Sequence, residues 1–511
     1  MFRWKKAAAV IAAASAFLLS ACGGGNSTTT AGSSTGGGTL TLGLLTQATT
    51  FSAADMNWAN ESPYGQAVYD GLVRANPDGT IVPWLATKWS YDSTKTALTM
   101  TLRTDVKFTD GTAFDATVAA QNLLRFRDGN SPNKSLLALV KDAKAVNSDT
   151  LEIDLKEPDP ALLSSLSQNA GLEESPKAFN SADIKTVPVG SGPYTLDSAD
   201  TVIGSTYTFV KNTSYWAPNT VHYDKIVMNV YSDATALLNA IKAHQVNAAN
   251  TIDNSAVDQI KAAGFNIDPL ELNWTGLILF DRNGTMNKAL GDVRVRQAIN
   301  YAFDTSALLK AVGKGYGTTT TQVFPTNSPG YDKSLDSYYT YNPTKAKQLL
   351  SEAGYPNGFT LNMPSTTLIA PATFTLVKQQ LAAIGITVKY TDAGNNFITD
   401  MLAPKYPATY MILQEDPTAW QILNFSLLPT ATFNPFHVND PKIVSLAKTI
   451  QTGTEAQAST ATKELDKYIV EQAWFAPWYR MQSSFVSDAN TQVTVQQGNA
   501  YPYLWNFKPA A

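Results

Sequence analysis

Residues 374–390 read Phe-Thr-Leu-Val-Lys-Gln-Gln-Leu-Ala-Ala-Ile-Gly-Ile-Thr-Val-Lys-Tyr, and the hydrophobic period changes partway through. Phe374, Val377, Leu381 and Ile384 recur at three- and four-residue spacing, the buried stripe of a helix. After Gly385, the residues Ile386, Val388 and Tyr390 alternate with polar neighbours, the pattern of a strand with one face buried. A helix that runs through a single glycine into a strand is a unit of α/β architecture.

The same alternation extends outward. Behind Asn342, Pro343 takes a first helical position, Ala346, Leu349, Leu350 and Ala353 form a stripe, and Gly354 closes it. After Asp292, the residues Val295, Ala298, Ile299, Ala302 and Phe303 repeat that spacing, as do Ala234, Leu237, Leu238 and Ile241 behind Ser232 and Asp233. Strands are expected at Leu40 and Leu42, at Leu98, Met100 and Leu102, and at Leu151, Ile153 and Leu155. The chain is therefore mixed α/β, with no internal repeat and no coiled coil.

The N-terminus decides location. Arg3, Lys5 and Lys6 precede an apolar run, Ala7 to Ala21, that is too short to span a bilayer, which is the layout of a secretory signal over residues 1–21. Leu19-Ser20-Ala21-Cys22 resembles a bacterial lipobox, whose cysteine is lipidated and becomes the new N-terminus. Cys22 is the only cysteine in 511 residues, so a disulfide within the chain is excluded and a cysteine metal site is not expected. Residues 22–38 then form a tether: Gly23 to Gly38 carries no charge and nothing larger than Thr. Such a linker has a root-mean-square span of about 20–24 Å. Export is expected, with attachment to the outer face of the cytoplasmic membrane, or a periplasmic location where an outer membrane exists.

Composition narrows function. Removing the three leader cations from a net charge of −4 leaves −7, which argues against nucleic acid and against adhesion to anionic lipid. No later apolar run approaches a membrane span. The mature length implies two or three lobes. With 10 Trp, 22 Tyr and 21 Phe, aromatic groups suffice both for cores and for lining a cleft.

Catalytic patterns are absent or misplaced. The G-x-S-x-G spacing of Gly32 to Gly36 lies in the tether, with no strand before it. Ser131/Lys134 and Ser445/Lys448 lack the companion motifs of penicillin-interacting enzymes. His222, His244 and His437 are the only histidines and form no helical pair, so no metal site and no cofactor are expected. The protein is expected not to be an enzyme.

Several segments in order carry a resemblance. Leu85-Ala86-Thr87-Lys88-Trp89, Leu98 to Arg103, and Val106-Lys107-Phe108-Thr109-Asp110-Gly111-Thr112-Ala113-Phe114 come first, the last a strand ending in an Asp-Gly turn before a helix from about Ala116. Val189-Gly190-Ser191-Gly192-Pro193-Tyr194 follows, then Lys211 to Trp216. Asp292 to Ala298 with Tyr301 to Asp304, and finally Asn342 to Phe359, complete the set. Together they resemble the family 5 extracellular solute-binding proteins, the peptide/nickel-type receptors of ABC importers. The motifs speak to fold more than to pocket. The Gly190-Ser191-Gly192 glycines are read as turn formers, and Arg294 and Arg296 as surface or interdomain pairing residues.

The resemblance implies a type II periplasmic-binding-protein-like fold with two hinged lobes and an extra domain. Lobe I is then discontinuous, with residues 39–75, 187–267 and 484–511; the extra domain is 76–186 and lobe III is 268–483. It further implies a monomer that closes on a small solute and docks on a membrane permease with separate ATPase subunits. Oligopeptide leads as the solute; oligosaccharide, nickel chelate or another small solute, a non-transporting sensor role, and a surface hydrolase remain open. In peptide-binding relatives an aspartate of a Trp-rich segment pairs with the ligand's amine. The matching stretch here, Met411 to Pro417, is shorter and lacks the Trp and Tyr. Glu415 or Asp416 either meets a cationic group or is a solvated loop acid. Trp420, Phe425, Phe433, Phe436 and His437 follow and serve either as a stacking surface or as core. Trp58 and Trp274 are further candidates.

Overall fold

The computed structural model describes residues 37–510 apart from Ile252, Leu368, Pro417 and Gln497. The leader, Cys22 and nearly all of the tether lie outside the described residues.

The fold is built on a nine-stranded sheet. Its order is Ala408–Gln414, Asn266–Leu279, Phe475–Ser487, Ala248–Thr251, Thr39–Leu44, Lys225–Val230, Thr206–Lys211 and Tyr194–Leu196, with Gly317–Thr319 also paired to Phe475–Ser487. Thr39–Leu44 lies parallel to both of its neighbours, and Leu40, Leu42 and Leu44 are buried, so this strand is a central one. The two longest strands, Asn266–Leu279 and Phe475–Ser487, pair antiparallel from Asn266↔Ser487 to Ile278↔Phe475, with register shifts at Glu271/Asn273 and Thr275/Gly276. Irregularities of this kind bend a ladder and re-aim its side chains. The pair carries the sheet from one hydrophobic core to the next.

One core surrounds Leu40, Tyr64, Tyr207, Phe209 and Phe485, and a smaller one around Leu237, Ile241 and Ile260 takes in Val486. A separate four-stranded antiparallel sheet, Ala86–Tyr91, Ala97–Leu102, Thr150–Leu155 and Val140–Asn147 in spatial order, packs under the helix Ala116–Asp128 around Met100, Phe126 and Ile153. That helix starts where its sequence requires, because the Asp115 carboxylate accepts from the Thr117 and Val118 backbone N–H groups. Two further cores, around Ile299, Val377 and Trp478 and around Trp274, Trp420 and Trp474, flank the far end of the long strands.

The stretch 374–390 folds as its period predicts. Phe359–Ser365, the helix Pro371–Ala382 and Ile386–Asp392 form a β-α-β unit whose strands pair in parallel, Phe359↔Ile386 through Ser365↔Asp392. A Cβ on Gly358 would sit 1.8 Å from the Gly385 carbonyl oxygen, so that position admits glycine alone.

Two local readings are corrected. Gly190 and Gly192 have no positive φ; each faces the Val68 backbone so closely that a Cβ would fall 1.9 Å from its carbonyl oxygen or 2.4 Å from its carbonyl carbon. They serve close approach, not turn geometry. Arg294 pairs with Asp292 at 2.6 Å as expected, but Arg296 is buried and donates to the carbonyls of Leu290 and Gln472 rather than to an acid.

Candidate ligand-binding site

A cavity of about 680 Å³ opens between three stretches of chain, two of which share the core around Trp274 and Trp474 while the third packs mainly on the core around Met100 and Phe126. Strand Ala408–Gln414 delivers the first wall. It ends just before Glu415 and Asp416, and Thr418 caps a short helix, Ala419–Ile422, by accepting from the Gln421 N–H at 3.2 Å. That helix continues as a wider π turn, Leu423–Leu427, and the combined segment presents Trp420, Gln421, Asn424 and Phe425 to the cavity. Such π segments recur at functional sites because the extra residue re-aims side chains.

Helix Pro441–Thr452 supplies the second wall. Its N-cap Asp440 accepts from Lys442 N and Ile443 N, and Val444, Ala447, Lys448 and Gln451 fall on one face. The third wall is Ser135 and Leu136 with the segment behind strand Thr150–Leu155, where Glu157 and Asp159 alternate with Pro158 and Pro160. Gln451 Nε2 ties this wall to the second by donating to Pro158 O at 3.1 Å, and beside the cavity Lys95 Nζ, from the turn before strand Ala97–Leu102, donates to Gly453 O.

The electrostatics of the walls are one-sided. Asp416 makes no hydrogen bond or ion pair with any described residue, and burial raises its carboxyl to about 7. Asp159 is 8% exposed; one of its oxygens accepts from Ala161 N at 3.0 Å, and burial, aided by the Glu157 charge, raises it to about 6. Lys448 is the one cationic side chain among the lining residues.

Glu415 turns the other way. Its Oε1 lies 3.1 Å from Nε of the fully buried Arg480, whose Nη1 reaches Asp336 at 2.9 Å and whose Nη2 donates to Phe324 O at 2.9 Å. Burial raises Glu415 to about 8, with Arg480 pulling in the opposite direction. Two consecutive acids thus face opposite sides of one segment, Asp416 to the cavity and Glu415 to the interior.

Of the remaining candidates, Trp420 lines the large cavity. Trp274 lines a small adjoining pocket with Asp416 and Phe425 and packs edge-on against Phe475, with ring centroids 5.5 Å apart. Phe433 stacks behind Phe425 at 4.6 Å, and Phe436 is half-buried against the same core. His437 is exposed, with Nδ1 at 2.8 Å from Pro429 O. Trp58 lies elsewhere: it packs near Tyr503, lines a second small cavity with Arg74 and Trp505, and binds Asn133 Oδ1 only through its backbone N–H. Asp159, Asn424 and Gln451 were not anticipated. The Glu157-Pro158-Asp159-Pro160 run was the available signal, acids held rigid by flanking prolines.

Among the described residues no group of three or more His, Cys, Asp or Glu side chains is placed to hold a metal. No helix among them is long and apolar enough to cross a membrane.

A concave, partly aromatic cavity of this volume, lying between two hydrophobic cores, is the architecture of a protein that binds a small solute. The chain belongs to the bacterial extracellular solute-binding proteins, family 5: residues 80–430 match the family described as "Bacterial extracellular solute-binding proteins, family 5 Middle". It is 29% identical over 485 residues to the glutathione-binding protein GsiB of Pectobacterium atrosepticum, covering 88% of this chain and 90% of that one. The Escherichia coli K12 GsiB is 30% identical over 358 residues, 68% of either chain. Among solved structures, HbpA2 from Haemophilus parasuis superposes with a TM-score of 0.83 at 21% identity, covering 93% of this chain and all of that one. The MppA murein tripeptide binding protein in its unliganded open form gives 0.80 at 18%, covering 92% and 97%. The fold is that of the family 5 periplasmic binding proteins, which serve ABC importers. GsiB and MppA bear the names of binding proteins.

Proposed function

We propose that this chain captures a peptide-sized solute in the cavity between residues 134–165 and 416–451 and delivers it to the permease of an ABC importer, catalysing nothing. The observation that carries this reading is the 680 Å³ cavity itself, which has the core of residues 416–451 on one side and, on the other, a wall packed mainly on a second core. Walls packed mainly on different cores can separate without unfolding, and the bent long strands supply a hinge. The volume lies within the range of small-ligand sites. The relatives favour peptides, because GsiB is named for glutathione and MppA for a murein tripeptide.

The division into lobe I (residues 39–75, 187–267 and 484–511), an extra domain (76–186) and lobe III (268–483) belongs to the same proposal. Its support is the separation of the cores and the passage of the sheet between them at the long strands. The receptor is held at the outer membrane face as a monomer through lipidated Cys22 and the tether of residues 22–38, the reading that the lipobox and glycine-rich spacer support.

Native mass spectrometry of the chain lacking residues 1–22, compared with its denatured mass, tests the reading. A mass excess that disappears on denaturation and fragments as a peptide supports it. A co-purified sugar or metal chelate replaces peptide as the solute class while keeping the receptor role.

A further inference from the structure

The small cavity beside Trp58 differs in character from the large one. It measures about 20 Å³, and Trp58, Gln66, Asp70, Arg74, Ser167 and Trp505 are among its lining residues. Room of this order holds a water or a halide-sized ion and nothing much larger.

Nitrogen donors dominate its polar lining, and the fold leaves them unanswered. Trp58 is 5% exposed, and its Nε1–H has no acceptor among the described residues. Gln66 is 3% exposed. Its Oε1 accepts from the Leu504 N–H at 3.0 Å, which fixes the amide orientation and leaves Nε2 as a second buried donor without an acceptor among them. Arg74 adds a charge. The rings of Trp84 and Trp505 cover both faces of its guanidinium, so only the edge is available. Along that edge Nη2 reaches Tyr215 and Asp70, while Nε and Nη1 have no acceptor among the described residues.

Asp70 is the one acid in the lining, and it is already filled. Its Oδ1 accepts from Trp84 Nε1 and Tyr215 Oη, and its Oδ2 from Trp216 Nε1 and Ser191 Oγ. A water in this space has two protons of its own to donate and finds that carboxylate occupied, whereas an anion only accepts. Buried N–H groups left unpaired are costly, and one charged acceptor answers several of them at once.

We infer that this cavity is a site for a small inorganic anion of halide size, held by Trp58 Nε1, Gln66 Nε2 and the free edge of Arg74. It is separate from the solute cavity, because no residue lines both. Trp58 stands before helix Ser62–Val68, Gln66 lies within that helix, and Arg74 is on strand Val73–Ala75. The anion therefore ties three elements together and stabilises the fold around the C-terminal segment that Gln66 and Arg74 hold at Leu504 and Trp505. With Asp70 offsetting Arg74, binding is modest, with a dissociation constant on the order of 10 mM.

The test is crystallographic and thermal. Crystals of the chain lacking residues 1–22 soaked in bromide should show an anomalous peak between Trp58 Nε1, Gln66 Nε2 and Arg74. In solution, replacing gluconate, which is too large for the cavity, with chloride at constant ionic strength should raise the unfolding temperature by about 1 °C and then saturate. Trp58→Phe keeps an aromatic ring without the donor and should abolish both peak and shift. Gln66→Glu keeps an acceptor for the Leu504 N–H and offers its own carboxylate oxygen to Arg74. That variant should melt above the parent without chloride and show no chloride response. Water in place of bromide, or a chloride response equal in the parent and both variants, overturns the inference. A bromide peak without a saturable chloride response marks an adventitious ion only and overturns it as well. Displacement of the bromide by Ala-Ala-Ala also overturns it, because the cavity would then belong to the solute, and the receptor reading would stand.

Discussion

Asp70 and Asp466 are the same residue type, 2% and 0% exposed, yet their surroundings differ completely. Asp70 accepts from Trp84 Nε1 at 2.7 Å, Tyr215 Oη at 2.8 Å, Trp216 Nε1 at 2.9 Å and Ser191 Oγ at 3.0 Å, with Arg74 as counter-ion at 3.8 Å. Arg74 is itself clasped between the rings of Trp84 and Trp505, 3.1 Å and 3.6 Å from their centroids. Asp466 has no hydrogen-bond partner among the described residues on either oxygen, and burial raises it to about 8 although Arg480 opposes the shift. Around Arg480 one cation answers Asp336 and Glu415 directly, with Glu271 and Asp466 also within its field. The Asp70 node uses its charge as structure, binding chain segments far apart in sequence. The Arg480 node leaves acid in excess, and so does the cavity on the other side of Glu415.

The sharpest way to break this contrast is to remove both aspartates in the same way. Asp70→Leu strands Arg74, two indole N–H groups and two hydroxyls, and should lower stability by about 3–5 kcal/mol. Urea unfolding followed by tryptophan fluorescence would show it as a large drop in midpoint. A loss under about 1 kcal/mol would mean that the node is packing rather than charge.

Asp466→Leu should act in the opposite direction. A carboxyl whose pKa is raised on folding contributes its stability below the unfolded value, near pH 4, and loses it as pH climbs through about 8. The native protein is therefore expected to weaken between those values, and the variant to flatten that slope. At pH 8 the variant should be about 1–3 kcal/mol more stable than the parent, because an unsatisfied buried group has been replaced by a methyl fork. Unfolding midpoints measured from pH 5 to pH 8 decide it, and parallel slopes would show that Asp466 does not carry the effect.

The two nodes were not equally readable in the sequence. Periodicity located the helices Pro343–Glu352 and Val293–Tyr301 and the helix from Ala116, because those signals are local. Residues 106–114, expected as a strand ending in a turn, form only the isolated bridge Lys107↔Ala113 around the Asp110-Gly111 turn. It could not show that Asp70 meets Trp216, 146 positions away, or that Arg296 turns inward to carbonyls instead of outward to acids. Glu415 and Asp416 were singled out together, yet only three-dimensional placement sends one to Arg480 and the other to the cavity. The aromatic run from Trp420 to Phe436 divides in the same way: Trp420 and Phe425 line the wall, and Phe433 supports it from behind. Alternation of side chains on a chain segment sets facing, and a single sequence does not reveal what stands opposite.

The cavity acids allow a subtler test. Asp159 and Asp416 ionise near 6 and near 7, both raised by burial, with Glu157 and Lys448 facing the same space and Glu415 engaged behind it by Arg480. The amine of a bound peptide meets the ionised forms, so affinity for a tripeptide such as Ala-Ala-Ala should rise as pH climbs from 5.5 to 7.5, by about tenfold. Asp416→Asn should remove the upper part of that rise. Titration calorimetry across this range, corrected for buffer ionisation, checks it; a flat profile would place the amine away from Asp416.

The smallest effect expected is at the contact that spans two cavity walls. Gln451 Nε2 donates to Pro158 O, next to Asp159, and so joins helix Pro441–Thr452 to the segment carrying the acids. Gln451→Ala removes the donor while keeping the helix, and a hydrogen bond of this kind is worth about 0.5–1.5 kcal/mol. That translates into roughly two- to tenfold faster ligand release, because the bond holds the two walls together and changes of this kind act mostly on dissociation. Stopped-flow displacement of a bound tripeptide such as Ala-Ala-Ala would register the change in dissociation rate. If release is unchanged while the unfolding midpoint falls, the bond holds the two walls in the empty protein as well, and closure of the cavity depends on Lys95 and the acids rather than on Gln451.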